Sequence, residues 1–236
     1  MLEYLRNKKI MLVVAHPDDE LLGLGASMNL LINSYTVQTH VVILGEGITS
    51  RSDSRDTEVW TNELKKHKAN ILAAQKEIGY QGVSIYDFPD NRFDSVALLD
   101  IVKVVEKEKA LFNPAVIFTH HGGDLNIDHQ RTFEAVMTAC RPMEDQETET
   151  IITFETPSGT EWQSSTDPRS FKPNLFFGVS EKNIDAKIAG MEQYEFEKRQ
   201  YPHPRSPEAL KVQAKRWGIA IGKKYAEAFQ LIRSIQ

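Results

Sequence analysis

Ile10-Met11-Leu12-Val13-Val14-Ala15-His16-Pro17-Asp18-Asp19-Glu20 is the stretch on which the fold turns. An unbroken apolar run this short, stopped by a turn residue, reads as a strand buried on both faces. Glu20 to Asn33 then follows a helical period, so the chain opens with the first strand and helix of a βαβ unit.

The alternation continues outward. Val37 to Leu44 predicts a second strand, Gly45 to Asp56 a loop, and Thr57 to Ile78 a helix stopped at Gly79, where a left-handed residue is cheap. Val83 to Phe88 predicts a third strand, Ser95 to Leu111 a helix, and Ala115 to Thr119 a fourth strand after the breaker Asn113-Pro114. A helix is expected from Asp128 to Cys140. Ile151 to Glu155 and Leu175 to Val179 read as strands on either side of a 19-residue stretch that holds Pro157, Gly159, Pro168 and Pro173. Loops of that length are usually functional or mobile, and this one is expected to line a pocket or to contact a second copy in a homo-oligomer. Ile184 to Phe196 and Pro207 to Ile221 read as helices, joined by Tyr201-Pro202-His203-Pro204-Arg205-Ser206-Pro207. Strands alternating with helices predict an α/β fold around a mostly parallel sheet.

Composition narrows the function classes. The 236 residues carry 28 basic and 33 acidic side chains, a net charge of −5, and are 41% apolar and 26% charged. A chain of this size needs no disulfide or metal staple for its core and is neither disordered nor fibrous. The acidic balance argues against a broad electrostatic grip on nucleic acid or an anionic membrane. The single Cys140 favours a reducing compartment, and no apolar run approaches the ~20 residues that span a bilayer, so a cytoplasmic protein without membrane insertion is expected.

The turn after the first strand carries the first chemical signal. A helix start explains Pro17, Asp18, Asp19 and Glu20, since proline suits the first helical position and acids complement the helix dipole. It does not explain His16. If Pro17 opens a helix, His16 and Asp19 share a face and Asp18 points past them. A second cluster, His120-His121-Gly122-Gly123-Asp124-Leu125-Asn126-Ile127-Asp128-His129, follows the fourth strand. In open α/β sheets ligands bind beyond the carboxyl ends of the strands where strand order reverses, so both clusters are expected in one crevice. A His16/Asp19/His129 set would supply three ligands and leave a position open, as catalytic zinc requires. Asp18 could then take a proton from a water activated by the metal.

These motifs, Ala15-His16-Pro17-Asp18-Asp19-Glu20 after a strand and Asn126-Ile127-Asp128-His129 some 110 residues later, resemble the PIG-L/LmbE-like family of zinc-dependent N-deacetylases. The resemblance covers residues 8–140 well and 141–236 more loosely, and implies a single Rossmann-like, three-layer domain over 1–236. It implies zinc, or another divalent metal, on His16, Asp19 and His129, with Asp18 as general base, acting on a small N-acetylated amino sugar. It also implies that Asp90, in Pro89-Asp90-Asn91-Arg92, reaches sugar hydroxyls, with Arg92 beside it.

Two departures stand out. Many members place a histidine three residues before the last ligand; here it is Asn126, which donates to an oxyanion but cannot protonate a leaving amine. His203, held between two prolines, is the expected acid, with a plain surface-loop histidine as the bland reading. Members often carry a substrate-holding arginine twelve residues before the glycine that ends the long helix; here it is His67, and Arg51 and Arg55 are alternative contacts. Gly23-Leu24-Gly25 lacks the third glycine of a dinucleotide fingerprint, since position 28 is Met28. The rivals are the same chemistry on a non-sugar amide, and a non-catalytic sugar- or nucleotide-binding module, which would not need Asp18 beside a full ligand set.

Overall fold

The computed structural model describes residues 1–144 and 148–235. In chain order the elements are α1 (Leu2–Leu5), β1 (Lys9–Val14), α2 (Asp19–Tyr35), β2 (Gln38–Gly45), α3 (Thr61–Ile78), β3 (Gly82–Phe88), α4 (Leu98–Phe112), β4 (Val116–His120), α5 (Ile127–Ala139), β5 (Thr150–Phe154), β6 (Leu175–Val179), α6 (Glu181–Met191), α7 (Pro207–Ala220) and β7 (Tyr225–Ser234). The sheet runs β3-β2-β1-β4-β5-β7-β6. β1 pairs in parallel with β2 and with β4, β2 with β3 and β4 with β5, whereas β7 is antiparallel to both its neighbours.

Successive strand side chains leave by opposite faces. Ile10, Leu12 and Val14 enter one core with Leu21, Leu31, Ile71 and Ile78 of α2 and α3, and Met11 and Val13 enter the other with Ile101, Val105 and Val136 of α4 and α5. The expected three-layer α/β architecture is therefore what the alternation builds. β1, central and covered on both faces, holds the continuous apolar run Ile10 to Val14. Strand order reverses between β1 and β4, so the residues following these strands share one crevice.

Two readings are corrected. Pro17 does not open α2: the helix begins at Asp19, and Asp18 is its N-cap in a left-handed conformation, φ 100°. The sequence pattern predicts no element beyond Ile221, yet the ten residues of β7 insert between β5 and β6. Boundaries shift elsewhere for local reasons. α6 starts three residues early because Ser180 and Asn183 form a reciprocal capping box.

α2 is interrupted at Leu24, whose backbone leaves helical geometry (φ −149°, ψ 22°). The broken turn frees polar groups in a buried place, and a buried ion pair takes them up. Glu227 of β7 accepts from the Ser27 amide at 2.7 Å, and Lys187 of α6 donates to the Leu22 carbonyl at 2.8 Å and to Glu227 at 2.7 Å. Gly23 sits where the helix presses on the sheet: a Cβ there would meet the Phe154 ring at 2.2 Å. Among the described residues no helix is long and apolar enough to cross a membrane.

Candidate active site

The turn from β1 into the start of α2 supplies His16, Asp18 and Asp19, and the segment from the end of β4 into α5 supplies His120, Asp124, Asn126, Asp128 and His129. The structure brings all of them together. Asp19 is the hub. Its Oδ2 accepts from the His16 amide at 2.8 Å, lies 3.4 Å from His16 Nδ1 and lies 3.3 Å from His129 Nε2. A charge-assisted hydrogen bond is shorter, about 2.7–2.9 Å. A tetrahedral ion with bonds of about 2.0–2.1 Å sets its ligand atoms about 3.3–3.4 Å apart, as these two Asp19–histidine pairs are; His120 Nε2 also lies 3.3 Å from Asp19 Oδ2, so the bonds of each ring decide which histidines face an ion.

The outer ring atoms agree with that assignment. His16 Nε2 lies 2.8 Å from Asp128 Oδ2 and must donate to it, which leaves the Nδ1 lone pair facing Asp19. His129 Nδ1 stands 3.0 Å from Asp124 Oδ1, close but out of line for a full hydrogen bond, and Nε2 faces Asp19. Histidines backed by carboxylates are the usual outer arrangement of metal ligands. A second donor group, His16, Asp90 and Asp128, also lies within 4.8 Å. It would need the His16 nitrogen that already donates to Asp128, so the His16, Asp19, His129 group fits an ion better.

His120 is excluded as a ligand by its own bonds. Its Nε2 accepts from the Ala15 amide at 2.9 Å and Nδ1 faces Thr156 Oγ1 at 3.0 Å. It stacks flat on His129, ring centres 3.9 Å apart, and walls the site. Burial and the neighbouring His129 hold its pKa down at about 4, so it is neutral.

The electrostatics favour a cation at the hub. Burial opposes charge on His129, yet Asp19 and Asp124 outweigh it and raise its pKa to about 9. Burial likewise opposes charge on His16, but Asp128 and Asp19 hold it well above the ordinary histidine value. Asp18 shows the opposite balance. Burial pushes its carboxyl well above the usual range, against the pull of the Arg205 guanidinium.

A cavity of about 240 Å³ opens beside this cluster. His16, Asp18, Asn126, Asp90, Arg51, His67 and His203 all line it, and Trp162 and Arg205 with them. Arg92 does not line it; its Nη2 donates to the Asp53 carbonyl at 3.4 Å. Asp90 accepts from the Ser50 amide and hydroxyl at 3.0 and 2.6 Å. Asn126 caps α5 by accepting from the Asp128 amide at 2.8 Å, and its Nδ2 donates to Asn91 at 2.9 Å. His67 is 2% exposed, neither ring nitrogen has a hydrogen-bond partner among the described residues, and burial lowers its pKa to about 4. His203 packs edge to face with Trp162, and its Nδ1 accepts from the Arg205 amide at 3.2 Å, which leaves the ring proton on Nε2.

Residues 11–140 match the PIG-L family, described as GlcNAc-PI de-N-acetylase. The chain belongs to the PIG-L family. Among curated proteins it is 28% identical to the uncharacterized deacetylase YaiS of Escherichia coli over 196 residues, which is 80% of this chain and 91% of YaiS. Two solved structures share the fold. The zinc-inhibited form of teicoplanin deacetylase Orf2 gives a TM-score of 0.75 at 14% identity, covering 96% of this chain and 98% of that one. The N,N′-diacetylchitobiose deacetylase of Pyrococcus horikoshii gives 0.68 at 17%, covering 96% and 84%. As a PIG-L member the chain is an N-deacetylase enzyme, with a His/Asp cluster able to bind a metal.

The sequence reading missed three contributors to the PIG-L site: Arg205, Glu197 and the backing role of Asp124. Asp124 stood in the histidine-rich cluster and was legible as a polar outlier. Arg205 and Glu197 come from the connection between α6 and α7, and only the packing of that segment over the crevice brings them in.

Proposed function

We propose that the enzyme removes the acetyl group from an N-acetylated amino sugar or its conjugate, with zinc or another divalent metal held by His16, Asp19 and His129. The carrying observation is the pair of carboxylate-backed histidines spaced for one ion around Asp19, with Asp18 beside them at the cavity wall. When bound, the ion acidifies a water and polarises the amide carbonyl. Asp18 accepts the water proton as the oxygen attacks the acyl carbon. The remaining Asn126 N–H steadies the oxyanion. The C–N bond then breaks, the nitrogen takes a proton, and acetate and a free amine leave.

The proton for the nitrogen has two sources along the cavity. Burial, with Arg205 and Arg199, holds the His203 pKa below its usual value, so its ring is neutral near pH 7. Asp18, carrying the proton it has just taken, is the stronger donor, and His203→Ala separates the two. Asp90, Asn91 and Ser50 offer partners to sugar hydroxyls, with His67 and Arg51 on the same wall. The cavity is smaller than the ~300–1,000 Å³ typical of drug-sized ligands, which suits one sugar ring at the site. The family description and the chitobiose-acting neighbour point the same way. A single working unit is supported by Arg205 and Glu197 joining the N-terminal motifs, and the lone buried Cys140 favours a reducing compartment such as the cytoplasm.

Metal analysis combined with acetate release from N-acetylglucosamine, N,N′-diacetylchitobiose, nucleotide sugars, inositol glycosides and non-sugar N-acetyl amides tests this reading. Stoichiometric divalent metal and activity confined to sugars are expected, with Asp18→Asn inactive and still loaded. Purified protein without affinity for a divalent ion, or Asp18→Asn as fast as wild type, would overturn it.

A further inference from the structure

Asp18 is held in an unusual way. It is a non-glycine residue at φ 100°, a conformation that persists only when its surroundings over-determine it. Its amide donates to Glu20 Oε2 at 3.1 Å, its carbonyl accepts from the Leu21 and Leu22 amides at 3.0 and 2.9 Å, and its Oδ2 accepts from Arg205 Nη1 at 2.9 Å. The backbone is fixed by its own helix; the carboxylate is fixed by Arg205.

Arg205 is itself anchored. The same Nη1 donates to Glu197 Oε2 at 2.8 Å, and Nε donates to Ser158 Oγ at 2.7 Å. Ser158 is a second non-glycine residue at positive φ, 71°, and Glu197 is steadied from its other oxygen by Arg51. One guanidinium thus joins the loop after β1 to the loop after β5, and both of its strained partners hold their shape around it. A planar fork with fixed N–H directions does this; a lysine ammonium, a flexible point charge, does not.

We infer that Arg205 is the positioning residue for Asp18: it fixes Oδ2 and so turns Oδ1 toward the reacting water. Its catalytic consequence rests on the deacetylase reading above; the fixing of Asp18 does not. A misplaced base costs about 10²-fold in turnover while leaving binding intact. Arg205→Ala and Arg205→Lys, assayed on N-acetylglucosamine or on whichever panel compound wild type deacetylates, should therefore lose about 10²-fold in kcat, with KM within about twofold and wild-type metal content. Added guanidinium at millimolar concentration should restore part of the Arg205→Ala rate and none of the Arg205→Lys rate. A second readout needs no turnover. Arg205→Ala should lower the urea midpoint by stranding the Asp18 carboxylate, and Asp18→Asn should raise the midpoint in that background while not raising it in wild type. Additive midpoints, unchanged kcat, or a raised KM at full kcat would each overturn the assignment. Coupled midpoints in a protein that deacetylates nothing would instead overturn the deacetylase reading and leave Arg205 as the anchor of Asp18.

Discussion

His16 Nε2 donates to Asp128 Oδ2 at 2.8 Å, and Asp128 spends its other oxygen on the Phe93 amide at 2.9 Å. Asp128 is fully buried and tied to the backbone, so it sets both the ring angle and the tautomer of His16. In this chain, with Asn at position 126, the carboxylate serves His16, whose other ring nitrogen faces Asp19.

Asp128→Asn should weaken divalent-metal affinity about 10–100-fold with little change in fold, because the amide cannot demand the same tautomer. Chelator competition measures this directly. Wild-type affinity in the variant would remove Asp128 from the site.

Asn126 has two jobs that separate by substitution. Asn126→Asp keeps the helix cap, so its stability should stay near wild type while loss of the N–H donor lowers kcat by about 10²–10³-fold. Asn126→Ala should lose both, with about 1 kcal/mol of unfolding free energy gone. Urea unfolding alongside turnover distinguishes them.

The Lys187–Glu227 pair fills the break in α2, with both side chains 6% exposed. Lys187→Met leaves a buried carboxylate unpaired and the Leu22 carbonyl without its donor, and should cost about 3–5 kcal/mol. The double variant with Glu227→Leu should recover part of that loss, since no isolated charge remains, although the amides of the broken turn stay unserved. Additive losses in urea would show the pair to be uncoupled.

His67 makes stability fall in mild acid. Its folded pKa of about 4 lies below the ordinary 6.5, so between these values the unfolded chain binds a proton that the folded one refuses. The stabilisation is full above pH 6.5, shrinks as pH drops and is gone near pH 4, amounting to about 3 kcal/mol at one pKa unit per 1.36 kcal/mol. A His67→Gln variant should lose stability less steeply than wild type over that window. Parallel urea-midpoint curves for the two proteins would show that His67 is not the group responsible.

By itself the sequence determined the strand-helix alternation, the central place of Ile10 to Ala15 and the meeting of two motifs across the sheet. These follow from local rules: period, breakers, and the geometry that puts loops after parallel strands on one edge. It also set out His16, Asp18, Asp19 and His129 as a group, because histidines among acids at the ends of apolar runs have no local structural use. What it left open depended on distant partners. β7 goes unread in the sequence because its buried Glu227 makes sense only beside Lys187 and the broken turn of α2. Asp18 reads as an ordinary first-turn acid, yet the tertiary structure places it outside the helix at positive φ. Whether His203 or Arg205 matters in the proline-rich segment was not legible either, since a loop residue acquires its role from what it is packed against. Only tertiary packing, which brings Arg205, with Glu197 beside it, against a residue 187 positions earlier, decided how the carboxylate of Asp18 is held.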